Sequence, residues 1–190
     1  MKVVAFNGSP RPKGNTSILL NVVLNELNGQ GIDTELVQIG GRHPAGCIAC
    51  YKCFEKKDGR CAQHKDIIND CIEKMRQAEG IILGSPTYFA DLSADLKAFI
   101  ERCGMVSRAN GDLYKRKVAA GVVAVRRAGS LHALHSINNF FLIGQMIVVG
   151  SSYWNMAIGR DPGEVENDTE GIETMKTLGR NMAWLISKIS

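Results

Sequence analysis

The sequence predicts an α/β fold built on one parallel sheet with helices packed against both faces. Short apolar, β-branched runs recur along the chain, stretches of helical apolar spacing separate them, and turn residues mark the joins. The strand candidates are apolar throughout rather than alternating, as burial on both faces requires. The chain has 190 residues, the length of a single domain able to build a core without disulfide staples. No repeat, low-complexity stretch or linker divides residues 1–190, which carry one cysteine-rich insert at about 43–63.

Lys2-Val3-Val4-Ala5-Phe6 is the first strand, closed by Asn7-Gly8-Ser9-Pro10. Leu20, Val23, Leu24 and Leu27 share a helix face that Asn28-Gly29 terminates. Thr34 to Ile39 is the second strand. Glu79 to Gly84 is the third, with Ile81-Ile82-Leu83 leading into Ser85-Pro86. Leu92, Leu96, Phe99, Ile100 and Cys103 then align on a helix for which Asp91 is the expected cap. Val118 to Val125 is a fourth strand and Ile147 to Val149 a fifth. Ile172, Met175, Leu178, Met182 and Leu185 mark a closing amphipathic helix. Open sheets of this kind bind ligands beyond the carboxyl ends of their strands. The loops expected to carry chemistry therefore begin at Gly8, Ser85 and Arg126.

Composition narrows the function. Apolar residues make up 45% of the chain and charged residues 22%, which excludes a disordered tail protein. The 23 basic and 19 acidic side chains leave a net charge of +4. That is too mild and too evenly spread for a nucleic-acid binder or a polybasic membrane binder. Only four apolar residues separate Lys2 from Asn7, so no signal-peptide core is expected. The Phe140 to Val149 tract, broken by Gly144 and Gln145, is too short to cross a bilayer. A cytoplasmic setting is expected, where thiols stay reduced.

Gly8 to Ser17 (G-S-P-R-P-K-G-N-T-S) runs from the first strand directly into a helix. It offers hydroxyls at Ser9, Thr16 and Ser17, the Asn15 amide, the cations Arg11 and Lys13, and backbone N–H groups from Gly14 onward. A helix N-terminus adds unpaired donors and a favourable dipole, so the segment reads as an anion site. Asn15 follows the glycine where a Walker A loop has lysine, and G-x-G-x-x-G does not occur. A monophosphate such as that of FMN fits best. The competing reading is a helix cap after an ordinary turn.

Ser85-Pro86-Thr87-Tyr88-Phe89-Ala90 adds a rigid turn and two aromatics at the same sheet end. Tyr88 and Phe89 could wall an isoalloxazine ring while local amides bond its pyrimidine edge, although such aromatics also serve as core plugs. In Arg126-Arg127-Ala128-Gly129-Ser130, Arg126 and Gly129 are the candidate flavin residues, since positive charge there favours an anionic reduced ring. A solvated charge pair is the alternative.

Four of the six cysteines fall between Cys47 and Cys61, spaced Cys47-x-x-Cys50-x-x-Cys53-x7-Cys61. Three thiolates two residues apart can wrap one small body from a single loop, as in bacterial ferredoxin runs. Zinc on three cysteines plus Cys61, His43 or His64 is a second option, although structural zinc usually draws on two separated knuckles. A redox-active thiol loop without metal is a third. Cys71 and Cys103 fall on helix faces and read as small buried hydrophobes. His132 and His135 share a helix face without an evident partner carboxylate and read as structural. Tyr153 and Trp154 read as core, with a subunit contact as the alternative.

Taken together, four segments resemble a known family. They are the phosphate loop at 8–17, C-I-A-C-Y-K-C with Cys61, S-P-T-Y-F-A-D-L-S-A-D-L-K-A-F-I-E-R at 85–102, and S-S-Y-W-N-M-A-I-G-R at 151–160. The family is the iron–sulfur flavoproteins, a branch of the NADPH-dependent FMN reductase superfamily with a flavodoxin-like fold. The resemblance covers nearly the whole chain and is most specific in the cysteine run. It implies a three-layer sandwich with a five-stranded parallel sheet ordered 2-1-3-4-5. It implies noncovalent FMN, with Ser9, Arg11, Asn15, Thr16 and Ser17 on the phosphate and Pro86, Thr87, Tyr88 and Phe89 along the ring. Cys47, Cys50, Cys53 and Cys61 would ligate a [4Fe–4S] cluster. The protein would form a homodimer or homotetramer, placing the flavin of one subunit near the cluster of a neighbour, and would accept electrons from ferredoxin.

Electron-number matching gives this pair its logic, because a cluster exchanges single electrons while FMN takes one or two. No side chain need act as nucleophile or general base, and none is assigned a catalytic role. The expected activity is an electron-transfer oxidoreductase acting on oxygen, peroxide or quinones. An NAD(P)H:FMN or quinone reductase without iron, taking hydride from NAD(P)H, is the alternative. A redox- or zinc-responsive interaction module is a further one, since a flavodoxin-like fold alone does not decide function.

Overall fold

The structure is a computed structural model and describes residues 1–189. Strand β1 (Lys2–Asn7) pairs in parallel with β2 (Asp33–Gln38) and with β3 (Gly80–Pro86). β3 pairs with β4 (Val118–Val125), which carries β5 (Ile147–Val148) at its start and β6 (Met156–Ile158) at its end. The order is β2-β1-β3-β4-β5, every pairing parallel, with β6 as one strand more than the sequence suggests. Three residues are too few to show a strand period.

The helices are α1 (Asn15–Gly29), α2 (Lys52–Lys56), α3 (Ile68–Gln77), α4 (Ala94–Ala109), α5 (Ser130–Ile143) and α6 (Thr169–Ile189). Successive strand residues point to opposite faces. Val4, Phe6, Ile81 and Leu83 accordingly join α3, α4 and α5 in one apolar core. Val3, Ala5, Ile82 and Ala120 join α1 and α6 in the other. Phe6 and Phe99 meet with ring centroids 4.9 Å apart. Each fully buried side chain of this kind contributes roughly 1.5–3 kcal/mol.

Three sequence expectations need correction. Ser93, not Asp91, caps α4: its Oγ accepts from the Leu96 N–H at 3.4 Å. Asp91 instead closes a small turn, accepting from the Leu92 N–H at 2.7 Å. It also lies 3.5 Å from His132 Nε2, a partner carboxylate 41 positions away that no local spacing reveals. Tyr153 and Trp154 are each half exposed and stack edge to face at 4.6 Å, outside the core. Cys71 and Cys103 are buried as expected. Burial pushes the Cys71 thiol up to about 12 and that of Cys103 well above its ordinary range. Among the described residues, no helix is long and apolar enough to cross a membrane.

Candidate cofactor sites

The phosphate loop is fixed by its neighbours. Buried Asn7 accepts from the Ser9 N–H at 3.0 Å and donates from Nδ2 to Gln38 Oε1 at 2.8 Å. Gln38 Nε2 donates in turn to the carbonyls of Ser9 and Gly40. The Gly8 N–H donates to the Gly84 carbonyl at 2.8 Å, and Ser93 Oγ donates to the Gly8 carbonyl at 2.7 Å. Gly40 packs so tightly that a Cβ there would overlap the Ser9 carbonyl group. The loop is thus tied to β2, β3 and α4 by the fold itself.

Gly14 opens α1 without a side-chain cap, so the first-turn N–H groups keep no intrahelical partner. Thr16 Oγ1 and Thr87 Oγ1 are both buried and both lack a hydrogen-bond partner. An unmatched buried hydroxyl costs about 1–3 kcal/mol. Thr16 and Thr87 both line one recess. The same recess is lined by Ser9, Arg11 and Asn15 from the phosphate loop, Pro86 and Tyr88 from the loop after β3, and Arg126 after β4. No acidic side chain lines it among the described residues, while Arg11 and Arg126 give it positive charge.

Other predicted residues lie outside this lining. Lys13 is exposed, Gly14 is the helix cap, and Ser17 Oγ accepts from Asn21 Nδ2 at 3.5 Å. Phe89 is fully exposed, on a left-handed backbone at φ 48°. Gly129, at φ 89°, lets two loops touch, since a Cβ there would stand 2.7 Å from the Ala90 Cα. The Asn15 side chain faces a different task from the one predicted. Its Nδ2 donates to the Asp161 carbonyl at 3.0 Å and its Oδ1 accepts from the Gly163 N–H at 2.8 Å. These bonds draw Gly159 and Arg160 into the recess lining, two residues that sequence reasoning missed. The only signal was the I-G-R run after β6, and nothing local links it to Asn15.

The cysteine insert is built differently. It leaves β2 through Gly40 and rests on α4. Ala49 at φ 50° and Tyr51 at φ 56° adopt left-handed backbone between the cysteines. Where left-handed and right-handed residues alternate, successive N–H groups face one side and form concavities used for anions and for iron–sulfur sites. Such residues cost about 1–3 kcal/mol each and persist where the surroundings enforce them. Cys47, Cys50, Cys53 and Cys61 line one recess closed by Arg102, Met105 and Val106 of α4. Cys50 is exposed and the other three are partly buried. Burial pushes the Cys53 thiol up, and Cys61 and Cys47 add to this against hydrogen bonds from the Cys53 and Phe54 N–H groups.

Side chains from outside the insert hold it. Asn69 grips Cys61 at both ends of its peptide unit, accepting from its N–H at 2.7 Å and donating to its carbonyl at 2.9 Å. Glu101 accepts from the Cys47 N–H at 3.3 Å. Wholly buried Arg102 donates to Cys61 Sγ at 3.2 Å, to the carbonyls of Ala45 and Gln63, and to the Asp66 carboxylate. Among the described residues, no three Cys, His, Asp or Glu side chains gather closely enough for one metal ion. His43 stands 3.9 Å from Asp95, and His64 contacts the Ala62 carbonyl, neither in the recess. Four cysteines on one recess are the donor set that an iron–sulfur body takes.

The NADPH-dependent FMN reductase family matches residues 1–161. An iron–sulfur flavoprotein of Methanocaldococcus jannaschii is 38% identical over 196 aligned positions, covering 100% of this chain and 99% of the relative. One from Methanosarcina thermophila is 31% identical over 191 positions, covering 100% of this chain and 97% of that relative. Among solved structures, the flavodoxin, WrbA-like protein from Agrobacterium tumefaciens shares the fold. It has a TM-score of 0.68 at 17% identity and covers 100% of this chain and 98% of that one. A full-length match at this identity, joined to a matching family over most of the chain, makes this chain a member of the iron–sulfur flavoproteins within the NADPH-dependent FMN reductase family, and so an FMN-dependent oxidoreductase.

Proposed function

We propose that this oxidoreductase relays electrons between a [4Fe–4S] cluster on Cys47, Cys50, Cys53 and Cys61 and FMN at the carboxyl edge of the sheet. A ferredoxin-type donor would feed it, and a small acceptor such as oxygen, peroxide or a quinone would drain it. One observation carries this reading: two separately built recesses coexist, one with the unmatched Thr16 and Thr87 hydroxyls, the other with four cysteines. When bound, the cluster supplies single-electron exchange and FMN supplies exchange of one or two electrons.

The chain's own residues position and tune. Thr16 Oγ1 and the first-turn N–H groups of α1 would donate to phosphate oxygens, with Arg11 as counter-charge. Pro86, Thr87 and Tyr88 would line the ring. Arg126 would supply positive charge where negative charge collects on reduction. Asn15 holds the Gly159–Arg160 segment against the same recess. A homodimer or homotetramer, with the flavin of one subunit near the cluster of a neighbour, is supported by the exposed aromatics Phe89, Tyr153 and Trp154. An NAD(P)H:FMN or quinone reductase without iron is the second reading, favoured by the family match and by the exposed Tyr88 at the recess.

The test is anaerobic purification with iron, sulfide and flavin counts for the wild type and Cys50→Ala. The expected wild type carries about four iron and four sulfide per chain. Cys50→Ala is expected to lose the iron and keep FMN. Unchanged iron in the variant would refute the ligand assignment. An iron-free wild type whose flavin is bleached rapidly by NADPH selects the second reading.

A further inference from the structure

Arg102 is the one Lys, Arg, Asp or Glu among the described residues with a buried side chain. Removing a charge from water costs several kcal/mol unless it is paired and hydrogen-bonded. Every partner of Arg102 lies in residues 45–66, the segment that carries the cysteines. Asp66 supplies the opposite charge, and the carbonyls of Ala45 and Gln63 fill two further directions. The N–H on Nε is aimed at Cys61 Sγ at 3.2 Å. A clamp that served only to fasten the insert would not need a fork arm on sulfur, because Asn69 already grips both ends of the Cys61 peptide unit.

We propose that Arg102 is a positioning residue that raises the electron affinity of the [4Fe–4S] cluster through Cys61. The inference rests on the cluster assignment made above. Reduction adds one electron to a thiolate-ligated cluster that already bears excess negative charge, and it breaks no bond to the protein. An N–H donated to a ligating sulfur, together with a positive charge beside it, favours the more negative, reduced state. Net charge and hydrogen bonds to the sulfurs are among the properties that set such potentials. Asp66 acts in the opposite sense, since its carboxylate offsets part of the guanidinium charge.

The experiment compares Arg102→Gln, Arg102→Lys and Asp66→Asn with the wild-type protein, purified anaerobically with FMN bound. Iron and sulfide are counted first, and cluster potential is then read by redox titration. Arg102→Gln is expected to weaken electron affinity at least tenfold, about 59 mV more negative for one electron. Arg102→Lys keeps the charge, loses the fork, and is expected to shift less in the same direction. Asp66→Asn is expected to shift toward more positive potential. Flavin content should stay at the wild-type level in all three. Loosening of the insert alone would move Arg102→Lys and Asp66→Asn the same way, or only lower their iron content. Either result overturns the inference, as do potentials within threefold of wild type in iron-replete variants. Where Arg102→Gln holds no iron, the signs of the other two variants decide. An iron-free wild type overturns the cluster assignment and this inference together, whereas an iron-replete wild type with unmoved variants overturns the inference alone.

Discussion

The flavin recess and the cysteine insert are both held by hydrogen bonds, but from different ground. The recess is made where β1, β3 and β4 end, and its first loop is fixed by the main-chain bond from the Gly8 N–H to the Gly84 carbonyl and by short side chains of the sheet edge and the α4 cap, Asn7, Gln38 and Ser93. The insert contains no strand and only the five-residue α2. Its place depends on a few long side chains, from Asn69 of α3 and from Glu101 and Arg102 of α4. A frame made of sheet is present before any ligand arrives. A loop hung on side chains gains order from what its thiols hold, because binding free energy at such sites is also folding free energy. Loss of FMN should therefore leave its pocket formed, and loss of a cluster should loosen residues 43–63.

The largest expected effect falls where the two regions meet. Gly40 ends the passage from β2, packs against the phosphate loop and leads in sequence into the insert. In Gly40→Ala the new methyl would overlap the Ser9 carbonyl group, and backbone cannot swing away as a side-chain tip can. Overpacking of this kind costs typically about 1–3 kcal/mol. Expressed wholly in binding, that is roughly a 10- to 100-fold loss of FMN affinity. Titration of flavin fluorescence and urea denaturation measure the two quantities. Iron lost while FMN affinity stays intact would break the comparison, because the strain would then have passed into the insert.

Thr16→Val sharpens the same contrast with a smaller effect and two signs. Valine keeps the shape and removes an unmatched buried hydroxyl. The ligand-free chain should gain about 1 kcal/mol, from the low end of the burial cost of such a group. FMN affinity should fall about tenfold, the low end for a hydrogen bond to a charged group, with iron content unchanged. Thermal melts with and without FMN check both signs. A ligand-free chain destabilised by the change would show that the fold itself uses this hydroxyl, and the recess would lose its best evidence of preparation for a ligand.

The contrast also explains what the sequence disclosed. Strand runs such as Ile81-Ile82-Leu83 and the apolar faces of α1 and α4 are written locally, so the elements and the loops at the sheet's carboxyl edge were legible, while the strand order came from the family resemblance. The cysteines were legible for the same reason, being close in sequence. Arg102 was not, because a lone arginine on an amphipathic helix normally lies in water. Its partners Cys61 and Asp66 lie 41 and 36 positions earlier. Gly159 and Arg160 were hidden likewise, reaching the recess through Asn15, whose carbonyl partner Asp161 is 146 positions away. Ser93 displaced Asp91 as the cap because its hydroxyl also serves Gly8, a preference set by the assembled sheet edge.

The smallest effect concerns the ground on which the insert is anchored. Glu35 of β2 bonds Lys2 Nζ at 2.7 Å and also pairs with Lys74 of α3. It thereby joins the strand before the insert to the helix after it. The hydrogen bond from Lys2, then that from Lys74, holds its carboxyl below the ordinary glutamate range. A carboxyl depressed in the folded state contributes stability above its unfolded value, about 4.3, and loses it as pH falls through the folded value. All three side chains are partly exposed, so the contribution is below about 1 kcal/mol and is screened by salt. Wild type and Glu35→Gln should therefore differ in denaturation midpoint near neutral pH and converge as pH drops through the carboxyl's folded range. High salt should narrow the difference in the same way. Hydrogen exchange should quicken in residues 43–63 of the variant and stay unchanged at Gly8 and Gly84. A gap that persists undiminished in acid would mean that Glu35 acts through packing rather than charge. Equal quickening at Gly8 would mean that the flavin edge and the insert are one cooperative unit.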